Sequence, residues 1–248
     1  EYTIGKTIPS VQSIARAASN PSNAAVVDFT VTFSEPVTGV DVSDFNLIAT
    51  NISGASINSM TGSGNTYNIS VNTGSGDGTL RLDLIDNDSI VNASGNTLGD
   101  IGIGNSNFAN GEAYNIDRTA PSVISIVRAS NNPNSSSNVD FIVTFSEPVT
   151  GVDALDFSLM NTSLSGAIIS SLNGLGNMYT ISVNTGSGDG TVRLDLVDDD
   201  SITDLASNKL GNIGIGNGNF INGETYVADK TVPIITSITR AGGDPSSA

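Results

Sequence analysis

The protein is a chain of 248 residues in which 25 Asp and Glu stand against 9 Lys and Arg, a formal net charge of −16, and it contains no His, Cys or Trp. Without imidazole or thiol groups there is no Ser-His-Asp relay, no cysteine nucleophile and no ordinary zinc, haem or iron–sulfur site, so any metal must be held by oxygen. Nine scattered cations do not form the basic surface that nucleic acids or anionic membranes require. No stretch reaches the ~20 apolar residues of a membrane span.

An internal repeat sets the organisation of the chain. Residues 7–118 return without a gap as residues 119–230, and 71 of the 112 aligned positions are identical. A period this long is typical of whole tandem domains and not of solenoid turns. We therefore interpret residues 7–118 and 119–230 as two domains, residues 1–6 as the end of a preceding repeat and residues 231–248 as the start of a further one.

Apolar and polar residues alternate within each repeat, which is the pattern of strands with one buried face. In chain order, the first repeat is predicted to contain strands near residues 10–17, 26–35, 45–50, 54–60, 66–72, 79–86 and 112–117. Residues 42–45 are predicted to form a turn, residues 72–78 a hairpin loop, and the Gly-rich residues 99–105 a long loop before the last strand. The alternation places Phe29, Phe33 and Phe45 in the core.

This set of elements predicts an all-β chain of tandem immunoglobulin-like β-sandwiches, because about seven short antiparallel strands in ~100 residues are typical of that fold. The opening Thr7-Ile8-Pro9, the run from Phe33 to Asp41, the strand from Gly76 to Asp83 and the closing Asp117-Arg118-Thr119 also carry a resemblance. The chain resembles the bacterial Ig-like repeats of large surface adhesins and other secreted repeat proteins. The resemblance implies an extracellular or cell-surface location, and calcium ions near domain junctions.

Many carboxylates follow strands that end at one pole of each sandwich, the pole that faces the preceding repeat. In the first repeat they follow the second and sixth strands, and the last strand of each repeat delivers one more Asp to the next pole. These groups repel one another unless raised pKa values, Arg118 or a bound cation neutralises them. The predicted metal ligands are Glu35, Asp41, Asp86, Asp88, Asp117, Glu147, Asp153, Asp198, Asp200 and Asp229.

Calcium is the predicted cofactor, since it takes six to eight oxygen ligands and tolerates irregular geometry better than magnesium does. Such an ion would tie adjacent repeats into a stiff joint, with Pro121 already narrowing the linker. Gly5 stands where Asp117 and Asp229 stand in the later linkers, so the first junction is expected to bind more weakly. The alternative is that these groups are solvated surface charges.

The predicted function is a structural extender in an adhesin stalk or a surface filament, with the adjacent repeats of the same chain as partners. Two alternatives stay open: a filament subunit joined to other copies by strand addition, and a glycan- or protein-binding adhesion module. An enzyme is not expected, because aromatic residues make up only 5% of the chain and there is no Trp to form the sugar platforms of a glycosidase. Nucleic acid and membrane insertion are not expected either.

Overall fold

The first half of the chain folds into an antiparallel β-sandwich. The computed structural model describes residues 7–239; the segments assigned to a preceding repeat, residues 1–6, and to the later part of a further repeat, residues 240–248, lie outside the described residues. One sheet has the order β1-β2-β4 with β6 also paired to β2, and the facing sheet has the order β3-β5-β7. Its strands are β1 (Val11–Arg16), β2 (Val26–Thr38), β3 (Phe45–Thr50), β4 (Ser56–Asn72), β5 (Gly78–Leu84), β6 (Val91–Asn92) and β7 (Ala113–Ile116).

The second half forms another sandwich with the same topology. Its sheets have the orders β12-β13-β9-β8 and β11-β14-β16, and β10 pairs with β15 in a short ladder. Its strands are β8 (Val123–Arg128), β9 (Asn138–Phe145), β10 (Val149–Thr150), β11 (Phe157–Thr162), β12 (Ile168–Leu175), β13 (Met178–Asn184), β14 (Gly190–Leu196), β15 (Thr203–Asp204) and β16 (Thr225–Ala228). The expected all-β, immunoglobulin-like architecture is confirmed.

The strand positions follow the sequence pattern closely, with two differences. The predicted strands near 54–60 and 66–72 are continuous in β4, whereas their counterparts in the second sandwich are the separate strands β12 and β13. The two-residue strands β6 and β15 were not predicted, because they are too short to show an alternating pattern. The turn expected near residues 42–45 is a 3₁₀ turn at Val42–Asp44, and Ala154–Asp156 repeats it.

Each sandwich has its own hydrophobic core, and the two clusters share no residue. Phe29 and Phe33 are fully buried in the first core and Phe45 is 7% exposed, as predicted from alternation. The ring of Phe29 meets that of Tyr114 edge to face at 5.2 Å, and Phe141 meets Tyr226 in the same way at 5.2 Å. This geometry suits the aromatic quadrupole and joins the two sheets. Among residues 7–239 there is no helix long and apolar enough to cross a membrane.

Candidate metal site between the two sandwiches

The linker between the sandwiches leaves β7 through a turn fixed by two carboxylates. Asp117 follows β7 directly, and its Oδ1 accepts a hydrogen bond from the Thr119 amide at 3.0 Å. Asp77 accepts from the Arg118 amide at 2.7 Å and from the Thr119 hydroxyl. Because hydrogen bonds hold both Arg118 and Thr119 of this turn, the Asp117 side chain has a defined position at the end of the first sandwich.

The second sandwich brings Glu147 and Asp204 to the same place. Glu147 lies between β9 and β10, and β10 pairs with β15, whose last residue is Asp204. The carboxylate of Asp204 is 3% exposed and accepts two hydrogen bonds from Asn208, one from its amide and one from its side chain, both at 2.8 Å. A fixed carboxylate of the second sandwich therefore faces Asp117.

One oxygen from each of Asp117, Glu147 and Asp204 lies within 4.8 Å of the others, and we call these three residues the carboxylate cluster. Burial raises the pKa of Asp117 despite the Thr119 amide, and the charges of Asp204 and Asp77 raise it further. Burial likewise raises the pKa of Glu147, followed by the charges of Asp117, Asp204 and Asp77. The cluster thus concentrates negative charge at a partly buried place, where water shields it less than at an open surface.

The neighbouring cationic side chains do not neutralise this charge. The Arg118 guanidinium donates to the carbonyls of Gly76 and Ala24 and to the Thr73 hydroxyl. The Lys209 ammonium donates to the carbonyl of Asp200 at 2.6 Å. The ion pairs found in residues 7–239 also join other groups. Arg118 and Asp117 are therefore neighbours in the sequence but form no ion pair within residues 7–239.

Asn208 links the two sandwiches next to the carboxylate cluster. Its side-chain nitrogen donates to the backbone carbonyl of Asp117 at 2.9 Å, and its side-chain oxygen accepts from the side chain of Asn23 at 3.1 Å. Through these hydrogen bonds Asn208 contacts Asp117 of the first sandwich and Asp204 of the second, and so holds the two residues close together. These contacts across the junction are hydrogen bonds between small polar groups.

The opposite pole of the first sandwich has a different set of residues in the equivalent positions. Glu35 is the counterpart of Glu147, and its carboxylate accepts from the Thr7 hydroxyl at 3.2 Å. Asn92 is the counterpart of Asp204, and its side chain donates to the Thr7 carbonyl at 2.9 Å. An amide donor thus replaces a carboxylate acceptor, so this pole carries less negative charge than the junction does.

Two of the predicted ligands cap the 3₁₀ turns. Asp41 accepts from the amide of Ser43 at 2.7 Å and from its hydroxyl, and Asp153 accepts from the amide of Leu155 at 2.7 Å. The hydrogen bonds from the Ser43 side chain and amide hold the pKa of Asp41 below its usual value. These contacts complete capping boxes and are a structural use of the carboxylates.

Four further predicted ligands anchor the Gly-rich loops, residues 99–107 and 211–219. Asp198 is 1% exposed and accepts three backbone hydrogen bonds, from Asp200 and from Gly216 and Gly218, each at 3.1 Å. Asp200 accepts from the Gly214 amide. In the first sandwich, Asp86 and Asp88 hold the equivalent loop in a similar way.

Of the ten predicted ligands, the structure brings Asp117 and Glu147 together and adds Asp204, which the sequence analysis did not select. The sequence does contain a sign of Asp204, because the second repeat has Asp at this position where the first repeat has Asn92. Asp204 was not selected because it follows no predicted strand. Asp229 lies beyond β16, in the position of Asp117, and accepts from the Thr231 amide at 3.1 Å. Metal binding by these residues stays a prediction.

Lowering the pH is expected to tighten the metal-free junction. The pKa values of Asp117 and Glu147 in the folded chain are raised above their usual 3.8 and 4.5. Protonation of these two groups therefore stabilises the folded junction fully below their usual pKa values, and this stabilisation is lost as the pH rises through the raised pKa values. Distances between labels on the two sandwiches, measured in chelator from pH 7 down to about 4, should therefore become more narrowly distributed.

The control for this pH effect is the variant Asp117→Asn with Glu147→Gln, which should show no such response. The hydrogen bonds from the Thr119 hydroxyl and the Arg118 amide lower the pKa of Asp77. The stability that ionised Asp77 gives to the linker turn is therefore lost only as the pH falls through that lowered pKa. A distribution that broadens between pH 7 and about 4 in the unmodified chain would contradict the assigned direction.

Comparison with known proteins gives matches to solved structures only: no family model and no curated protein matches this chain. The Escherichia coli adhesin FdeC matches with 16% identity and a TM-score of 0.41 over 86% of this chain and 63% of that one. InvD of Yersinia pseudotuberculosis matches with 14% identity and a TM-score of 0.33 over 92% and 60%. The z1z2 domains of titin, in complex with telethonin, match with 11% identity and a TM-score of 0.25 over 90% and 94%. The chain thus spans less than two thirds of the first two, and at these scores we draw no function from the likeness.

Proposed function

We propose that this chain is an extender segment of a bacterial adhesin-type repeat protein, located at the cell surface or outside the cell, in which calcium stiffens the joint between sandwiches. The observation that carries this proposal is the carboxylate cluster, in which each sandwich supplies at least one side chain. A cation bound there connects the two bodies directly. The role is mechanical and not enzymatic.

The chemistry of the cluster favours calcium over other cations. Three carboxylates supply up to six oxygens, and calcium accepts carboxylates in one- or two-oxygen modes together with backbone carbonyls and water. Magnesium requires a near-ideal octahedron and retains more of its water. The absence of His and Cys removes the ligands that zinc and copper prefer.

The energetic effect of the ion is modest, and its mechanical effect is larger. Extracellular calcium modules bind with dissociation constants of about 10⁻⁴ to 10⁻³ M. Calcium at tenfold above such a constant stabilises the bound arrangement by only about 1.4 kcal/mol. However, the hydrogen bonds of Asn208 that cross the junction join small polar groups, among them Asn23. A bridge at this point therefore restricts bending more than it raises the free energy of unfolding.

The test is a calcium titration by calorimetry combined with solution scattering of the whole chain. Asp204→Asn is expected to weaken binding at the junction by at least about tenfold, and to leave the fold intact because Asn92 already occupies this position in the first sandwich. Asp229→Asn is the matched control, since Asp229 has the same linker hydrogen bond but lies at the far end of the second sandwich.

The unmodified chain and the Asp229→Asn variant should both become stiffer with calcium, and the Asp204→Asn variant should not. Scattering profiles that superimpose in calcium and in chelator for the unmodified chain would remove the joint mechanism. Equal calcium affinity of the unmodified chain and the Asp204→Asn variant would show that the ion binds elsewhere.

A further inference from the structure

One edge of the second sandwich is a strand that lacks the residues with which proteins usually block edge pairing. β12 stands at the end of the sheet order β12-β13-β9-β8 and, within residues 7–239, pairs only with β13. An edge strand presents unpaired backbone amides and carbonyls, and natural proteins protect it with charged side chains or with Pro. Residues 157–188, which include β12 and β13, contain no Asp, Glu, Lys, Arg or Pro. The β12 edge is therefore open to backbone pairing.

Three apolar side chains lie exposed along this edge. Ile168 is 60% exposed at the start of β12, Leu175 is 89% exposed at its end, and Met178 is 53% exposed at the start of β13. Leu175 and Met178 are direct cross-strand partners. Ile169 and Leu172 instead pack against the core. Because side chains alternate along a strand, β12 has apolar residues on its outer face as well as on its core face.

The first sandwich shows that the fold does not require the exposed apolar side chains. At the offset of 112 residues, the three exposed positions are occupied by Ser56, Ser63 and Thr66. The core-facing positions stay apolar, with Ile57 and Met60 packed against the first core. The apolar outer positions distinguish the second repeat from the first, and packing within one sandwich does not account for them.

The spacing of these residues is self-complementary about a two-fold axis. The ladder of β12 with β13 has seven rungs, because the bulge after Ile169 adds one residue that has no partner. Leu172 occupies the fourth and middle rung. When a second copy of β12 pairs antiparallel about Leu172, the first rung of each strand lies opposite the seventh rung of the other. Ile168 of each copy then contacts Leu175 of the other, with Met178 beside it.

Electrostatics favours this edge as a meeting point for two copies. Each copy carries a net charge of −16, so surfaces rich in carboxylates repel one another. The opposite edge strand of the same sheet, β8, carries Arg128 in an ion pair with Glu224. The β12 edge instead brings two uncharged strands together, and their exposed apolar groups leave water on pairing.

We propose that β12 is a lateral docking edge, at which the second sandwich pairs antiparallel with the second sandwich of another copy of this chain. The two sheets then join into one continuous sheet, and Ile168, Leu175 and Met178 of both copies form an apolar row on its outer face. A two-fold axis closes the contact, so the product is a dimer and not a fibre. This pairing connects chains side by side, goes beyond the joint between sandwiches of one chain, and does not depend on a cation.

Sedimentation equilibrium of the whole chain at rising concentration tests for this dimer. The unmodified chain is expected to dimerise reversibly and to form no larger species. Ile168→Ser, Leu175→Ser and Met178→Thr together introduce the residues of the first sandwich, so the fold should remain while dimerisation weakens by at least about tenfold. Ile101→Ser with Ile103→Ser is the matched control: it removes two side chains that are 85% and 78% exposed elsewhere, and should leave dimerisation unchanged.

Cysteine crosslinking tests the register, because the chain has no Cys of its own. Ile168→Cys combined with Leu175→Cys should give a disulfide-linked dimer with oxidised glutathione, since opposite residues of an antiparallel pair have Cα atoms about 4.5–5.5 Å apart, which a disulfide spans. Either substitution alone should give none, because the two copies of one position lie six rungs apart, about 20 Å. A mixture of the two single variants should give only the mixed dimer.

Two results would overturn the proposal. The first is a chain that shows no dimer at any concentration and no crosslink in the variant with both cysteines. The second is a dimer that the triple variant retains at full affinity, or that either single cysteine variant crosslinks by itself, since the contact would then lie on another surface or in another register.

Discussion

The variant Phe141→Ala is expected to unfold in two steps, with the second sandwich destabilised by about 3–5 kcal/mol and the first unchanged. Phe141 is fully buried and its ring packs edge to face on Tyr226, so truncation removes buried area and leaves a cavity between the two sheets. The first core shares no residue with this cluster. We expect little of the loss to reach the first sandwich, because the cores are separate and the Asn208 hydrogen bonds that cross the junction join small polar groups.

Calorimetry or urea unfolding of the whole chain measures this effect, since each sandwich should give its own transition. Phe29→Ala is the mirror control: Phe29 is the counterpart of Phe141 in the first sandwich, packed on Tyr114, and its truncation should shift the other transition. A single transition that moves as one unit in both variants would show that the two sandwiches fold cooperatively, against the separation of their cores.

The variant Asp198→Ala is expected to destabilise the second sandwich by about 2 kcal/mol or more. It removes the acceptor of the Asp200 and Gly218 amides, whereas the Gly216 amide keeps the backbone carbonyl of residue 198 as a second acceptor. The carboxylate is 1% exposed and its three donors belong to Asp200, Gly216 and Gly218. Each amide left unsatisfied in the interior costs about 1–3 kcal/mol. The Gly-rich loop should lose its conformation first, since most of the donors belong to it.

Thermal unfolding and amide exchange of residues 211–219 measure the two parts of this prediction. Asp199→Asn is the matched control. The first sandwich carries Asn87 at the corresponding position, and its side chain accepts from the Ser89 amide at 2.9 Å as Asp199 accepts from the Ser201 amide. The control should keep the stability and loop protection of the unmodified chain. Protection of the loop that persists in Asp198→Ala would show that other contacts hold it.

The alternation of apolar residues was sufficient to predict most of the strands and the core positions of the aromatic residues. Burial of every second side chain is a local property of a strand at a sheet surface, so it can be read without knowing which strands pair. The lengths of β4, β6 and β15 could not be predicted in this way, because the end of a strand depends on where its partner's hydrogen bonds stop.

For the carboxylates, the sequence predicts which end of a sandwich they lie at, but not which of them are free to bind a cation. The sequence placed Asp117 and Glu147 at one junction, since one follows the last strand of the first sandwich and the other follows an early strand of the next. It did not distinguish them from Asp198, whose carboxylate accepts from loop amides 18 and 20 residues further along the chain. That distinction depends on which donors folding brings close, and spacing alone does not contain it.

The sequence by itself determined the repeat, the all-β class, the acidic character of the poles and the need for oxygen ligands at any metal site. These follow from composition, periodicity and identity between copies, which are properties of the chain before it folds. Only the tertiary structure decided that Asp204 joins Asp117 and Glu147, that Arg118 and Lys209 do not neutralise them, and that Asp41 and Asp198 support turns and loops. The reason is that carboxylates of equal intrinsic chemistry acquire different roles from the donors and charges packed within a few ångströms of them.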